Sequence, residues 1–115
     1  MTKHKGYSLD QTYSDEATLL KKVVEYFEPQ RRDGIYIMKI RDRYTKGYSD
    51  VFLCVRGLLV VAELKDDVGT PSQHQIDFVK DIVSCGGIGK EDCRTVQDVI
   101  ELVEEAKRRQ PVWPI

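Results

Sequence analysis

Residues 49–65 read SDVFLCVRGLLVVAELK, and this stretch decides the fold of the chain. Two apolar runs flank Arg56-Gly57, which predicts two β-strands joined by a two-residue hairpin loop. In that register Val55 pairs with Leu58, and every further pair is set by counting outward from the loop. A bulge or a three-residue turn would shift the pairing. The sequence therefore predicts an antiparallel hairpin whose far end carries the charged residues of the stretch.

The far end of this hairpin gathers two carboxylates and an ammonium group. Counted from the loop, Asp50 lies directly opposite Glu63, with Cβ atoms about 5 Å apart on one face. Lys65 shares that face with Glu63 because side chains alternate with period two along a strand. Charges at the rim of a buried sheet cost free energy unless they bind a partner. A divalent cation is the simplest such partner, because Mg²⁺ and similar ions prefer oxygen ligands.

Size and composition restrict the class of protein. The 115 residues suffice for one domain with one modest core, and 41% hydrophobic with 32% charged residues exclude a disordered or fibrous chain. No apolar run approaches the ~18 residues that a membrane span requires, and no secretory signal is visible. Cys54, Cys85 and Cys93 form no CxxC pattern, so we expect no disulfide framework, no zinc site and a reducing, cytoplasmic location.

Basic residues form two local clusters in a chain of formal net charge -1. The first cluster holds four candidate DNA-binding residues, Lys39, Arg41, Arg43 and Lys46. The second, Lys107-Arg108-Arg109, ends the last predicted helix. Both clusters fit a surface that follows a phosphate backbone. They fit equally a solvated strand edge and helix-end charges that complement the dipole, so both interpretations stay open.

Hydrophobic periodicity and breaker residues predict seven elements in the order α-β-β-β-α-β-α. The elements span about residues 15–27, 35–41, 51–56, 58–66, 70–84, 88–94 and 95–110. Thr70, Pro71 and Gln73 predict a capping box for the second helix. The order predicts an α/β domain with a mixed β-sheet flanked by helices. We expect a polar arm at residues 1–13, the domain at 14–110 and an apolar tail at 111–115.

Two helices carry a polar residue on the apolar face near their N-terminus. At about 100° per residue, Glu16 aligns with the apolar stripe of the first helix and Gln75 with that of the second. A carboxylate directed at a core needs a partner or a metal. Alternatively, Glu16 lies at an exposed helix end, where acids favour the dipole. Gln75 either hydrogen-bonds a backbone group or holds a water or phosphate oxygen. Both could converge on the Asp50, Glu63 and Lys65 cluster.

The chain resembles the PD-(D/E)XK nuclease superfamily and its restriction-endonuclease-like core. The resemblance lies in Ser49-Asp50 followed by Glu63-Leu64-Lys65, between a helix with an inward Glu and a helix with an inward Gln. Residues 70–75, followed by Gly86-Gly87, are similar to the S-x-x-Q helix and trailing G-G of its VRR-NUC branch (virus-type replication-repair nuclease), in the stand-alone form found in phages. The resemblance spans about residues 14–103. One departure is Ser49, where the branch usually has a proline that is not a ligand.

The resemblance implies a metal-dependent DNA endonuclease. Asp50, Glu63 and the Leu64 carbonyl would bind Mg²⁺ or Mn²⁺. Lys65 would orient or polarise the attacking water and stabilise charge on the phosphorus. Because the chain resembles the stand-alone branch, the resemblance further implies that it resolves branched DNA such as Holliday junctions. That task needs two coordinated cuts, so the resemblance also implies a homodimer with two sites.

The same resemblance implies that Glu16 and Gln75 complete the outer part of the site as catalytic residues. Two alternatives stay open. The chain could be a non-catalytic DNA- or protein-binding module on the same fold. It could also be an unrelated α/β interaction protein, in which Asp50, Glu63 and Lys65 form a structural ion-pair network.

Overall fold

The computed structural model describes residues 8–39 and 51–114. Its elements occur in the predicted order, with one short 3-10 segment, Glu28–Asp33, after the first helix. The helices are α1 (Glu16–Phe27), α2 (Gln73–Ser84) and α3 (Val96–Arg109). The strands are β1 (Ile35–Lys39), β2 (Val51–Val55), β3 (Leu58–Leu64) and β4 (Ile88–Cys93). The predicted α/β class is therefore confirmed.

The four described strands form one mixed sheet in the order β1-β2-β3-β4. The pairs β1/β2 and β2/β3 are antiparallel, whereas β3/β4 is parallel. The β2/β3 register runs from Val55↔Leu58 to Val51↔Ala62, which confirms the predicted two-residue hairpin. Arg56 and Gly57 have φ of 51° and 87°, as a type I′ turn requires. Asp50 lies outside the described residues, so its pairing with Glu63 stays a prediction.

Alternation along β3 places its side chains in two different layers. Val60, Ala62 and Leu64 belong to the main core, which the sheet shares with α1 and α3. Val61 faces the other layer: a Cβ built at Gly89 would lie 2.6 Å from its Cγ2 and 3.1 Å from a methyl of Val79 in α2. Because Glu63 alternates in phase with Val61, it points to the α2 side of the sheet.

The capping box of α2 lies two residues further along the chain than predicted. The N-cap is Ser72, whose hydroxyl accepts a hydrogen bond from the Gln75 amide at 3.2 Å. The Gln75 side chain returns the bond by accepting from the Ser72 amide at 2.8 Å. The predicted box of Thr70 and Gln73 is wrong, because the Gln73 amide group instead bonds Asp77 one turn ahead. The helix therefore begins after Pro71.

The C-terminal tail packs on the hairpin end of the sheet. The Trp113 indole N–H donates to the Arg32 carbonyl at 3.1 Å, and a Cβ at Gly34 would lie 2.7 Å from the indole. Asp33 next to it pairs with Lys107 at 2.6 Å and with Arg56 at 2.7 Å. The Lys107 ammonium and the Arg56 guanidinium hold the pKa of the Asp33 carboxyl below its usual range. The end of α3 is thereby attached at the hairpin end of the sheet.

These contacts bear on the two basic clusters. Lys107 and Arg109 of the second cluster pair with acidic side chains of this chain, Asp33 and Glu105. In the first cluster Lys39 is exposed at the end of β1, and Arg41, Arg43 and Lys46 lie outside the described residues. Among helices in the described part of the chain, none has the length and apolar character to cross a membrane.

Candidate active site

The structure brings the candidate residues Glu63 and Lys65 together at the end of β3, where Gln75 of α2 also reaches Glu63. Glu63 is 1% exposed and Lys65 is 6% exposed, and the Lys65 Nζ lies 3.9 Å from Oε1 of Glu63. Burying either charge alone would cost several kcal/mol, roughly the penalty for one desolvated ion. The opposite charges offset part of that cost. A buried carboxylate and a buried ammonium are therefore held side by side on the α2 face of the sheet.

Gln75 connects this pair to α2. Its Nε2 donates to Oε1 of Glu63 at 2.6 Å, while its Oε1 accepts from the backbone amide of Ser72. The inward direction predicted from helical phase is thus observed. The backbone hydrogen bond expected as one alternative is also present. Because both ends of the amide are engaged, the cap of α2 and the orientation of the carboxylate depend on one side chain.

This double role predicts different outcomes for two substitutions in the same capping box. Ser72→Ala removes the hydroxyl cap and leaves the bond to Glu63, so we expect a loss of about 1 kcal/mol in stability. Gln75→Ala removes both bonds, and we expect a further loss of about 1.5–3 kcal/mol because one acceptor is a charged carboxylate. Urea unfolding of the two variants, compared with wild type, measures both losses. Equal losses in the two variants would contradict the second role of Gln75.

The backbone around Glu63 departs from a regular ladder. The pairing of β3 with β4 shifts by one residue between Ala62 and Leu64, so the sheet bulges opposite Glu63. Bulges redirect side chains and often lie beside functional sites. Immediately after the bulge, the Lys65 amide donates to the Cys93 carbonyl at 2.9 Å. The main chain is therefore paired with β4 both before Glu63, at Ala62, and after it, at Lys65.

Cys93 is close to this site but is unsuited to nucleophilic chemistry. The residue is fully buried. Burial, followed by the negative charge of Asp98, raises the pKa of its thiol far above the usual range. A thiol that stays protonated is inert. All three cysteines are free thiols, as the absence of a CxxC pattern predicts.

Glu16 does not point into the core as its helical phase predicts. It is exposed in the first turn of α1, directly after the N-cap Asp15, whose carboxylate accepts from the Thr18 amide at 2.7 Å. The buried residues of α1 begin one turn later, at Leu19. The exposed alternative for Glu16 is therefore the observed one, because the apolar stripe of a helix covers the core only where the helix lies over the sheet.

Of the two further candidate metal ligands, the structure describes Leu64 but not Asp50. The side chain of Leu64 is fully buried in the main core, and its backbone lies between Glu63 and Lys65. Asp50 lies in the part of the chain that is not described. Within residues 8–39 and 51–114, no group of three His, Cys, Asp or Glu side chains could hold a metal ion. Carboxylate and carbonyl oxygens are nonetheless the donors that suit Mg²⁺ and Mn²⁺.

Ser72 belongs to the S-x-x-Q resemblance, but its capping contact with Gln75 was not among the predicted ones. The signal for it is the S-x-x-Q spacing of Ser72 and Gln75, which is itself a capping-box pattern. The Thr70 box competes with it in the sequence, because both pairs have the same spacing. The fold separates them by placing Gln75, and not Gln73, against Glu63.

Comparison with solved structures identifies a similar fold. The chain matches a structure described as "VRR_NUC domain" with a TM-score of 0.60. The match covers 77% of this chain and 94% of that one, at 23% sequence identity. At this identity the likeness establishes the fold, and the predicted VRR-NUC-like architecture is confirmed. No protein-family model matches the sequence, and no curated protein matches it.

Proposed function

We propose that this chain is a metal-dependent endonuclease that hydrolyses phosphodiester bonds of DNA. The observation that carries the proposal is the buried pair of Glu63 and Lys65, bonded through Gln75 to α2. A carboxylate and an ammonium two residues apart at the end of β3 cost free energy to bury, and phosphodiester hydrolysis uses both. The chain also shares the fold of a structure described as "VRR_NUC domain".

The oxygen donors fit a hard divalent cation. Asp50, the Glu63 carboxylate and the Leu64 carbonyl would hold Mg²⁺ or Mn²⁺. The constant β2/β3 register is the reason to expect Asp50 opposite Glu63. When bound, such an ion supplies positive charge to the phosphate and lowers the pKa of a water. Gln75 would keep the Glu63 carboxylate in one orientation by donating to Oε1.

Lys65 would stabilise the negative charge that develops on the phosphoryl oxygens, and would orient the attacking water. Its backbone is held to β4 by the bond from its amide to the Cys93 carbonyl, and its Nζ lies 3.9 Å from the Glu63 carboxylate. A cation held in place before the reaction begins stabilises the transition state without reorganisation. Glu16, exposed at the start of α1, would act from the outer rim of the site.

The proposed substrate is branched DNA such as a Holliday junction, cut by a homodimer with one site in each subunit. Two symmetric cuts suit a twofold dimer. Lys39, Arg41, Arg43 and Lys46 would contact the phosphate backbone. The exposed position of Lys39 at the end of β1 supports this part of the proposal.

A non-catalytic role is the second candidate. It is favoured by the contacts that Lys65 and Gln75 make with Glu63, since such a network can serve stability alone. A DNA- or protein-binding module on this fold would use the same network as a structural element. The two candidates differ in one respect that is simple to measure, because a structural network requires no metal.

The test is to incubate the purified protein with labelled four-way junction, flap and linear duplex, each with Mn²⁺, Mg²⁺ or EDTA. We expect cleavage of the junction that EDTA abolishes. Absence of metal-dependent cleavage of every substrate would refute the nuclease. Linear duplex cut as readily as the junction would refute the preference for branched DNA. A monomer in light scattering, with and without DNA, would refute the homodimer.

A further inference from the structure

We infer that Arg94 is a positioning residue for the candidate active site. It acts by fixing the turn of residues 66–69, which joins Lys65 to the segment that begins α2. The inference rests on the proposed function for its effect on cleavage. It rests on geometry alone for its effect on the turn.

The Arg94 guanidinium makes three contacts that reach two separate segments. Its Nη1 donates to the Asp66 carbonyl at 2.7 Å and its Nη2 to the Gly69 carbonyl at 2.5 Å. Its Nε lies 2.7 Å from a carboxylate oxygen of Asp92. The planar fork of arginine can donate to both carbonyls while it faces the Asp92 carboxylate, whereas a lysine ammonium cannot reproduce the arrangement. Asp92 thus orients the guanidinium, and the guanidinium holds both ends of the turn.

The backbone of Arg94 is fixed as well. Its amide donates to Oδ2 of Asp98 at 2.8 Å, in the same capping box that begins α3 with Thr95. The preceding residue, Cys93, accepts the bond from the Lys65 amide. The guanidinium therefore extends from a rigid strand-to-helix junction and not from a loop. A group anchored in this way can impose its position on the segment that it contacts.

The turn itself is compact and lies against Lys65. Asp66 Oδ1 accepts hydrogen bonds from the amides of Val68 and Gly69. A Cβ at Gly69 would lie 3.0 Å from that same oxygen and 3.8 Å from Cδ of Lys65. The Asp67 amide donates to the carbonyl of Tyr13, shortly before α1. The turn thus joins β3 to the segment before α2, and it also contacts the segment before α1. These three elements carry the candidate site residues that the structure describes.

A shift in this turn would move Lys65 and Gln75 relative to each other. These two side chains approach the same oxygen of Glu63 from β3 and from α2, and the turn lies between them in the chain. Glu63 itself is upstream of the turn, within the sheet. Loosening the turn is therefore expected to disturb the placement of the ammonium and the amide, and through the amide the orientation of the Glu63 carboxylate.

The test compares Arg94→Ala with wild type by junction cleavage and by hydrogen exchange. We expect kcat to fall about 10- to 100-fold, as misplacement by a fraction of an ångström to an ångström produces, with KM for DNA unchanged. The amides of Asp67, Val68 and Gly69 should exchange faster, and those of β1 and β2 should not. A kcat equal to wild type in a cleaving protein, or unchanged exchange at the turn, would overturn the inference.

Three further variants make the result decisive. Arg32→Ala removes an exposed arginine and should match wild type in every measurement. Asp66→Ala loosens the same turn while keeping Arg94, and should reproduce the kcat and exchange effects. Arg94→Lys keeps the charge and should recover only part of the activity. If Arg94→Ala unfolds, Arg94→Lys and Asp66→Ala decide the question. An inactive wild type would refute the nuclease, and the exchange at the turn would still judge the role of Arg94.

Discussion

Replacing Glu63 by glutamine is expected to abolish metal-dependent cleavage and the stabilisation that Mn²⁺ gives the wild type. The substitution keeps the size of the side chain, so it removes the charge and little else. A ligand at 100 times its Kd stabilises a protein by about 2.7 kcal/mol, and this gain should vanish. Cleavage should fall below detection, at least about 10³-fold, because the substitution removes the charged ligand on which the proposed metal chemistry depends. Melting curves with and without Mn²⁺, and junction cleavage, measure the two effects.

The matched control is Glu101→Gln on the exposed face of α3. It makes the same chemical change at a distance from the site and should keep both activity and the response to Mn²⁺. Without metal, Glu63→Gln should melt lower than wild type, because the Lys65 ammonium loses its counter-charge in a buried position. A Glu63→Gln protein that still gains stability from Mn²⁺ would show that the ion binds elsewhere.

Lys65→Ala is expected to lower kcat by about 10²–10³-fold, which is the usual effect of removing one fixed donor from a transition state. In contrast to Glu63→Gln, it should keep the stabilisation by Mn²⁺, because the proposed oxygen ligands remain. The reason is that Lys65 lies beside the carboxylate and is not itself a metal ligand in the proposal. Single-turnover cleavage at saturating metal and junction measures the loss.

Lys80→Ala, at an exposed position of α2, is the control for a general loss of positive charge, and it should cleave at the wild-type rate. Lys65→Arg should not restore full activity, since a guanidinium differs from an ammonium in shape and hydration. If Lys65→Ala cuts within a few-fold of wild type, the buried pair serves stability, and the second candidate function gains support.

Local rules were sufficient for the hairpin. Arg56-Gly57 is a two-residue loop that only a few turn types can form, and the register of the whole β2/β3 pair follows from it. The phase of α2 likewise predicted the inward direction of Gln75, because 3.6 residues per turn fix which side chains share a face. In both cases the determining interactions are between residues close together in sequence.

The same local rules failed where two possible capping boxes had equal spacing. They also failed where the burial of a side chain depended on another element. Thr70/Gln73 and Ser72/Gln75 are both possible capping boxes. The structure forms the second, in which Gln75 also contacts Glu63. Glu16 has the phase of a buried residue but lies at an exposed helix end. Helical phase gives the direction of a side chain. What that side chain meets depends on how far the sheet extends beneath it.

The order of elements, the hairpin register and the clustering of Glu63 with Lys65 were determined by the sequence alone, since period-two alternation and turn chemistry act within a few residues. The tertiary structure decided the contact of Gln75 with Glu63, the exposure of Glu16 and the three contacts of the Arg94 guanidinium. Arg94 lies 25 and 28 positions from the two carbonyls that it binds. No local pattern marks such a contact, because it exists only after β4 has paired beside β3 and α3 has fixed the backbone of Arg94.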